Sequence, residues 1–508
     1  MTLHKLTAGD GYTYLTRQVA AFDATERGHT GLGDYYSQRG ESPGRWAGNG
    51  IAGLSGVGAG QPVTEDQMKA LFGEGRHPNA VRLERRPWPG DRHRRRRRRQ
   101  GLWGGPSTSS LLERTGFEPA AQRSSPPSTP PTGSPPQPRS RTATARGSAA
   151  TLPGPCSPRP TAARRVMPAS CRGSSPASHG RRRRRWPATT SPSPRQVGVG
   201  VVGAGTEEMA EQIEAAHAAA VADALAWLEE NACFTRLGTD GVRQVETTGL
   251  IAAVFTHRDS RAGDPDLHSH VAVSNKVQSR DGHWRALDGR VLHKAAVAAS
   301  ERYDTRLEAH LVTRLGVRFA DRPGPAPGRR TVREIAGMDQ GLLTAWSSRR
   351  RDIDARRAVL AGDFQRDHGR PPTAVEAIAL AQQATLETRG PKHEPRSLAE
   401  QRATWRREAA AVLGGPDRIT RMFGRVLGAR ESPRPQATEA WVRAAAVRVL
   451  DTVSEARATW QVWHVRAEAE RVVRAAALAP EDVDVAVTRV TEGVLSSLFP
   501  FRLVSRIR

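Results

Sequence analysis

THRDSRAGDPDLHSH, residues 256–270, places His257, His268 and His270 within fifteen residues. Successive strand residues point to opposite faces, so His268 and His270, two apart, project side by side. The flanking stretches GLIAAVFTH (249–257) and DLHSHVAVSNKV (266–277) are rich in apolar and branched residues, and RDSRAGDP between them carries turn residues. Together they read as an antiparallel hairpin. A turn centred between Ala262 and Gly263 sets His257 opposite His268, and three imidazoles then share one sheet face. Three neutral imidazoles can hold a divalent cation and leave coordination positions open for a substrate. Such a cation polarises a phosphoryl oxygen or activates water. The plainer alternative is that a strand histidine is a surface or satisfied core residue. Three of the chain's fifteen histidines on one face favour the metal. Ser269 faces the other way and is expected only to pack.

Outward from the hairpin, HWRAL (283–287) reads as a further strand, with Asp281-Gly282 as a two-residue turn. Upstream, TEEMAEQIEAAHAAAVADALAWLEENA (206–232) has a Thr N-cap and acids in its first turn. Met209, Ile213, Ala216, Ala220, Ala224 and Leu228 fall on one face, the mark of an amphipathic helix. LHKAAVAASERYDTRLEAHLVTRLG (292–316) predicts a second helix, stopped by Gly316. The fold class expected is therefore α/β (two-layer α+β): an antiparallel sheet with the histidines on one face and helices on the other. After the linker DRPGPAPG (321–328), residues 331–508 read as a mostly helical C-terminal region.

A net charge of +25 over 508 residues suggests a polyanionic partner, nucleic acid first. The charge is local. Residues 81–200 hold 25 Arg, no Lys and 4 acids, a net of +21, which leaves +4 for all the rest. That segment contains RRRRRR (94–99), RRRRR (181–185) and 20 of the 36 prolines, without helical or strand periodicity. Such a composition cannot bury enough surface to offset its ordering entropy. Residues 83–205 thus read either as a disordered basic linker or as out-of-frame translation of a GC-rich gene, whose shifted codons give mostly Arg, Pro, Ser, Ala and Gly. The second reading is favoured, with compensating shifts at either end. The three cysteines, Cys156, Cys171 and Cys233, have no paired spacing and fit a reducing compartment. No apolar run approaches the ~18–20 residues of a membrane span, and MTLHKLTAGDGYTYL lacks a signal-peptide core. A cytoplasmic location without membrane insertion is expected.

Four of five tyrosines, Tyr12, Tyr14, Tyr35 and Tyr36, lie in the first 36 residues. Tyrosines near Trp46 can be core aromatics. A tyrosine can also be a nucleophile, but with a phenolic pKa of about 10 it needs a base or an electropositive site.

FTHRDSRAGDPDLHSHVAVSN followed by DGHWRALDGR, with GDYYSQRGESPGRWAGNG near the start, resembles the MobF-type conjugative relaxases within the His-hydrophobe-His endonucleases. The resemblance covers about residues 1–82, the N-terminal relaxase part with the tyrosine cluster, and 206–320, the metal-binding part. It implies a divalent metal ion (Mg, Mn or Zn) on His257, His268 and His270, holding the scissile phosphate of single-stranded DNA at a plasmid transfer origin. It implies that Tyr14, with Tyr12 as alternate, attacks that phosphate to leave a 5′-phosphotyrosyl bond and a free 3′-hydroxyl. Tyr35 or Tyr36 would be the second tyrosine. Asp264 and Arg261 would shape the loop, the Asp as a local hydrogen-bond acceptor. Other relaxosome and coupling proteins are implied partners.

Two departures bear on activity. The family's strand with an Asp-x-Thr-Phe-Ser stretch is absent; RWPATTSPSPRQVGVGVVG (185–203) stands in the corresponding place, so the sheet is expected to lack a central strand. None of the five lysines follows a glycine, so no phosphate-binding loop and no helicase motor are expected. The alternatives to an active strand transferase are a non-catalytic DNA-binding remnant and a three-His zinc hydrolase.

Overall fold

Alternating side chains and short turns build the sheet around the histidine hairpin. The computed structural model describes residues 2–3, 6, 9–16, 42–85, 186–190, 205–322, 331–390, 396–427 and 434–498. The described residues all belong to one compact unit, within Met1–Gly105 and Arg183–Arg508. Tyr35, Tyr36, Cys156, Cys171 and nearly all of the segment 83–205 lie outside the described residues.

The strands are β1 (Thr2–Leu3), β2 (Arg45–Ala47), β3 (Trp186–Thr190), β4 (Phe234–Leu237), β5 (Arg243–Glu246), β6 (Ala252–Asp259), β7 (Pro265–Val273), β8 (Lys276–Gln278), β9 (Trp284–Ala286), β10 (Phe319–Asp321) and β11 (Arg333–Ile335). The main sheet is antiparallel, in the order β1-β3-β7-β6-β2. The remaining strands form two-stranded pairs. Helices near the start are short: α1 (Thr13–Thr16), α2 (Glu65–Met68) and α3 (Ala80–Arg85). Two long ones follow, α4 (Glu207–Ala232) and α5 (Gly289–Leu315). Then come α6 (Gln340–Ala345), α7 (Ser348–His368), α8 (Ala374–Glu387), α9 (Leu398–Leu413), α10 (Pro416–Leu427), α11 (Glu439–Ala456), α12 (Val462–Ala475) and α13 (Val483–Leu498).

The two long helices start and stop as their sequence dictates. The Thr206 side chain accepts from Met209 N, and Gly316 closes α5 in the left-handed region at φ 66°. Ile213, Ala216, Ala220, Ala224 and Leu228 are buried in one core with Leu267, Val271 and Val273 of β7. Each such large aliphatic contributes ~1.5–3 kcal/mol by leaving water. The opposite sheet face carries a second core, in which Tyr12, Leu15, Trp46, Met68 and Phe72 pack with Ala253, Phe255 and Ala272. The class expected from the sequence, an antiparallel sheet with helices on one face and a helical C-terminal region, is the one observed.

Three details differ. The sheet is not short of a strand: WPATT (186–190) pairs with β7 on one side and β1 on the other. Main-chain ladders need only backbone donors and acceptors, so a stretch without strand-like alternation can occupy the gap. Pro187 is tolerated because β1 reaches only as far as Leu3↔Ala188, leaving the strand an edge at the proline. Second, the β8–β9 connection has three residues between Ser279 and His283, whose Ser279 N–H donates to His283 O at 3.0 Å, with Gly282 at φ 79°. Third, the downstream helices divide between cores. Leu342, Trp346, Trp405, Ala409, Met422 and Phe423 join the core of the sheet and long helices, whereas α11–α13 enclose their own.

Candidate active site

β6 and β7 pair with His257 opposite His268 and Phe255 opposite His270, as the sequence predicts, although the tip beyond is shifted by one residue, with Asp259 opposite Pro265. The three rings lie side by side. Ring centroids are 5.3 Å apart for His257–His268, 4.9 Å for His257–His270 and 5.1 Å for His268–His270. The first pair is stacked at 19°; the other two meet edge to face. His257 is buried, and His268 and His270 are partly open. The partial opening follows from the pleat: Pro265, Leu267, Ser269 and Val271 are buried, while Asp266, His268 and His270 alternate with them on the less covered face.

The chemistry of the donor set fits a borderline divalent cation. His268 Nδ1–H donates to Asp266 O at 2.7 Å, which in the neutral ring selects the tautomer with its lone pair on Nε2. The Asp266 carboxylate also lies 3.8 Å from that Nδ1. Closure is a separate matter. Among the described residues no group of three or more His, Cys, Asp or Glu is drawn together as a ready-made cation site. Metal-bound imidazole nitrogens sit about 2.0–2.1 Å from zinc, so these adjacent rings would have to rotate to coordinate one ion.

Ser269 does more than pack. Its hydroxyl lies 2.7 Å from His217 Nε2 and 2.9 Å from Thr256 Oγ1, and His217 Nδ1 lies 2.7 Å from the Tyr303 hydroxyl. His217 belongs to α4 and Tyr303 to α5, so a buried polar chain runs from the reverse side of the histidine strand into both long helices. A neutral imidazole donates through one nitrogen and accepts through the other, so the hydrogens run in one direction along it. Burial, reinforced by the neighbouring His268, holds the His217 pKa down at about 3. The sequence signal was available: a histidine at i+4 from Ile213, on an otherwise apolar helix face, needs a partner. Beside it, Arg258 makes a two-pronged ion pair with Glu214 of α4, at 2.6 and 2.8 Å.

Asp264 also departs from expectation. Its backbone carbonyl accepts from Ser260 N locally, but its carboxylate accepts from Ser348 Oγ at 2.7 and 2.8 Å, at the start of α7. A carboxylate is favoured there by the helix dipole. Arg261 reaches Gly390 O at 3.3 Å.

Of the N-terminal tyrosines, Tyr12 is a core residue, 5% exposed, against the same sheet face as the histidines. Its pKa is raised by burial first, then by Glu65 and Asp10. Both effects keep its phenol protonated. Tyr14 lies in α1, two residues further on. Tyr35 and Tyr36 are outside the described residues.

The sheet thus carries the clustered histidines on one face, with Tyr12 packed over that side, and the long helices on the other. Residues 8–412 match the profile described as TrwC relaxase, and the chain belongs to that family. Over 54 residues it is 46% identical to the multifunctional conjugation protein TraI of Escherichia coli, and 43% identical to that of strain K12. Each match takes in 10% of this chain and 3% of the relative's length. Among solved structures, the chain is similar to conjugative relaxase TrwC in complex with oriT DNA. The copper-bound form is 26% identical with a TM-score of 0.38, covering 46% of this chain and 73% of that one. The metal-free form is 26% identical with a TM-score of 0.37, covering 46% and 76%.

Proposed function

We propose that this chain nicks one strand of DNA at a plasmid transfer origin, with Tyr14 as nucleophile and His257, His268 and His270 as holders of a divalent cation. The observation that carries this reading is the clustering of the three rings within 4.9–5.3 Å on one sheet face, in a chain of the TrwC relaxase family. A cation bound there would supply Lewis-acid stabilisation of charge on the scissile phosphate. The histidines contribute neutral nitrogens, and His268 is held in the matching tautomer by Asp266 O. The phenolic oxygen forms a bond to phosphorus as the bond to the 3′ oxygen breaks. The phenol gives up its proton and the 3′ oxygen takes one, leaving a 5′-phosphotyrosyl link and a 3′-hydroxyl. Because the phosphoester bond is exchanged rather than hydrolysed, the strand can be rejoined, with Tyr35 or Tyr36 as the second tyrosine. Tyr12, buried and held protonated, is the weaker candidate for the first step.

The test is incubation with a single-stranded transfer-origin oligonucleotide and Mg²⁺ or Mn²⁺, followed by denaturing electrophoresis. A covalent adduct lost in Tyr14→Phe and on chelation is the expected result. No adduct under any metal overturns the reading.

A second reading, a non-catalytic DNA-binding remnant, is favoured by one observation. The strand WPATT that fills the sheet contains no Asp or Glu, so it offers no proton acceptor from that position. Salt-sensitive DNA binding without an adduct would select it.

A further inference from the structure

The tip of the β6–β7 hairpin is held by residues 84 to 142 positions further along the chain. Ser348 Oγ–H donates to both oxygens of Asp264 at 2.7 and 2.8 Å. Arg396 Nη2 lies 3.1 Å from Asp259 Oδ2, a carboxylate whose side chain is 6% exposed. Trp405 is fully buried and its Nε1–H donates to Gly263 O at 2.8 Å. Gly263 sits at φ 86°, and a Cβ there would come within 3.2 Å of Arg396 Nη2, so the backbone and the guanidinium are in close contact.

The grip matters because the strand ladder does not fix the tip by itself. Pairing passes from His257↔His268 directly to Asp259↔Pro265, a register shift of the β-bulge kind. Bulges re-aim the side chains beside them. His257 and His268 therefore form the last regular pair before the irregularity. Their ring orientation depends on where the tip beyond it is held.

We infer that Ser348, Arg396 and Trp405 are positioning residues for the histidine cluster, acting through Asp264, Asp259 and Gly263. They set how His257 and His268 present their nitrogens. The inference rests on the reading of those histidines as metal ligands given above.

The experiment uses the full chain and Co²⁺, whose visible absorption reports coordination geometry. S348A, W405F, R396Q and R396K are titrated, and the melting temperature of each is measured without metal. S348A removes a single donor and keeps shape; W405F removes its donor but also leaves a cavity at a fully buried site, so it should melt lower. We expect both to bind Co²⁺ about tenfold more weakly, as loss of outer-sphere support does, with altered bands, and S348A to melt within a few degrees of the parent. R396K, which keeps a cation opposite Asp259, should retain most of the affinity that R396Q loses. Affinities and spectra within twofold of the parent in all four variants overturn the inference and leave the three-histidine reading intact. So does loss of affinity that only tracks a falling melting temperature. A parent chain that binds no Co²⁺ overturns the three-histidine reading itself, and this inference with it.

Discussion

The Ser269 hydroxyl lies 2.7 Å from Nε2 of His217, so the residue between the two close histidines ties their strand to the long helix behind it. Replacing Ser269 with Ala strips a fully buried ring nitrogen of that partner. An unsatisfied buried polar atom costs about 1–3 kcal/mol. We expect the unfolding free energy of S269A to fall by that amount, seen as a lower urea midpoint with the slope of the transition unchanged. A midpoint equal to the parent's would mean that the polar chain through His217 and Tyr303 adds nothing to stability.

The second expectation concerns acid. His77 is 4% exposed, and its Nδ1 accepts from the backbone N–H of Asn79 at 3.0 Å. Burial lowers its pKa from 6.5 to about 4. Between those values the unfolded chain binds a proton that the folded chain refuses, so stability is complete above pH 6.5 and is lost as pH falls toward 4. His77→Gln, which can still accept that hydrogen bond, should flatten the fall in denaturant midpoint between pH 7 and pH 5. An unchanged pH profile in H77Q would assign the acid sensitivity elsewhere.

Glu229 joins parts of the chain that lie far apart in sequence. Its carboxylate accepts from Asn49 N, Asn49 Nδ2 and Leu250 N, each at 2.7 Å. Burial raises its pKa while the two backbone donors oppose the rise. Glu229→Ala should cost roughly 2–3 kcal/mol, since charge-assisted bonds are the stronger ones and two backbone donors lose their acceptor. The cost should appear in the melt as earlier loss of the segment around β2. Hydrogen exchange at Asn49 and Leu250 would report it directly.

A fourth expectation lies in the gene. If residues 83–205 are translated out of frame, a one-base-shifted reading of codons 80–210 should restore a strand with a carboxylate in place of WPATT. Shifted frames that read as nonsense would make the Arg- and Pro-rich segment genuine.

Much of the sheet was legible because its signals are local. The two-residue spacing of His268 and His270 sets a shared face, and the pairing of His257 with His268 was foreseen. The tip, however, is centred on Ala262, with Asp259 opposite Pro265, and a bulge between His257 and Asp259 restores that pairing. Thr206 and Gly316 bound the helices they cap. The contacts that were not legible join residues far apart in the chain. Ser269 meets His217 at a separation of 52, and Asp264 meets Ser348 at 84. No pattern within a short window specifies such pairs. WPATT was missed for the opposite reason: its pairing rests on backbone groups that every sequence carries. Whether the rings close on a cation depends on side-chain rotation, which spacing does not encode.

The grip on the hairpin tip also orders events during synthesis. Gly263 leaves the ribosome 142 residues before Trp405, the last residue to fasten it. At about 5–20 residues per second, that interval is on the order of ten to thirty seconds. The nascent chain thus carries all three histidines well before their hairpin is secured, and the histidine face is completed only after its downstream helices have been made.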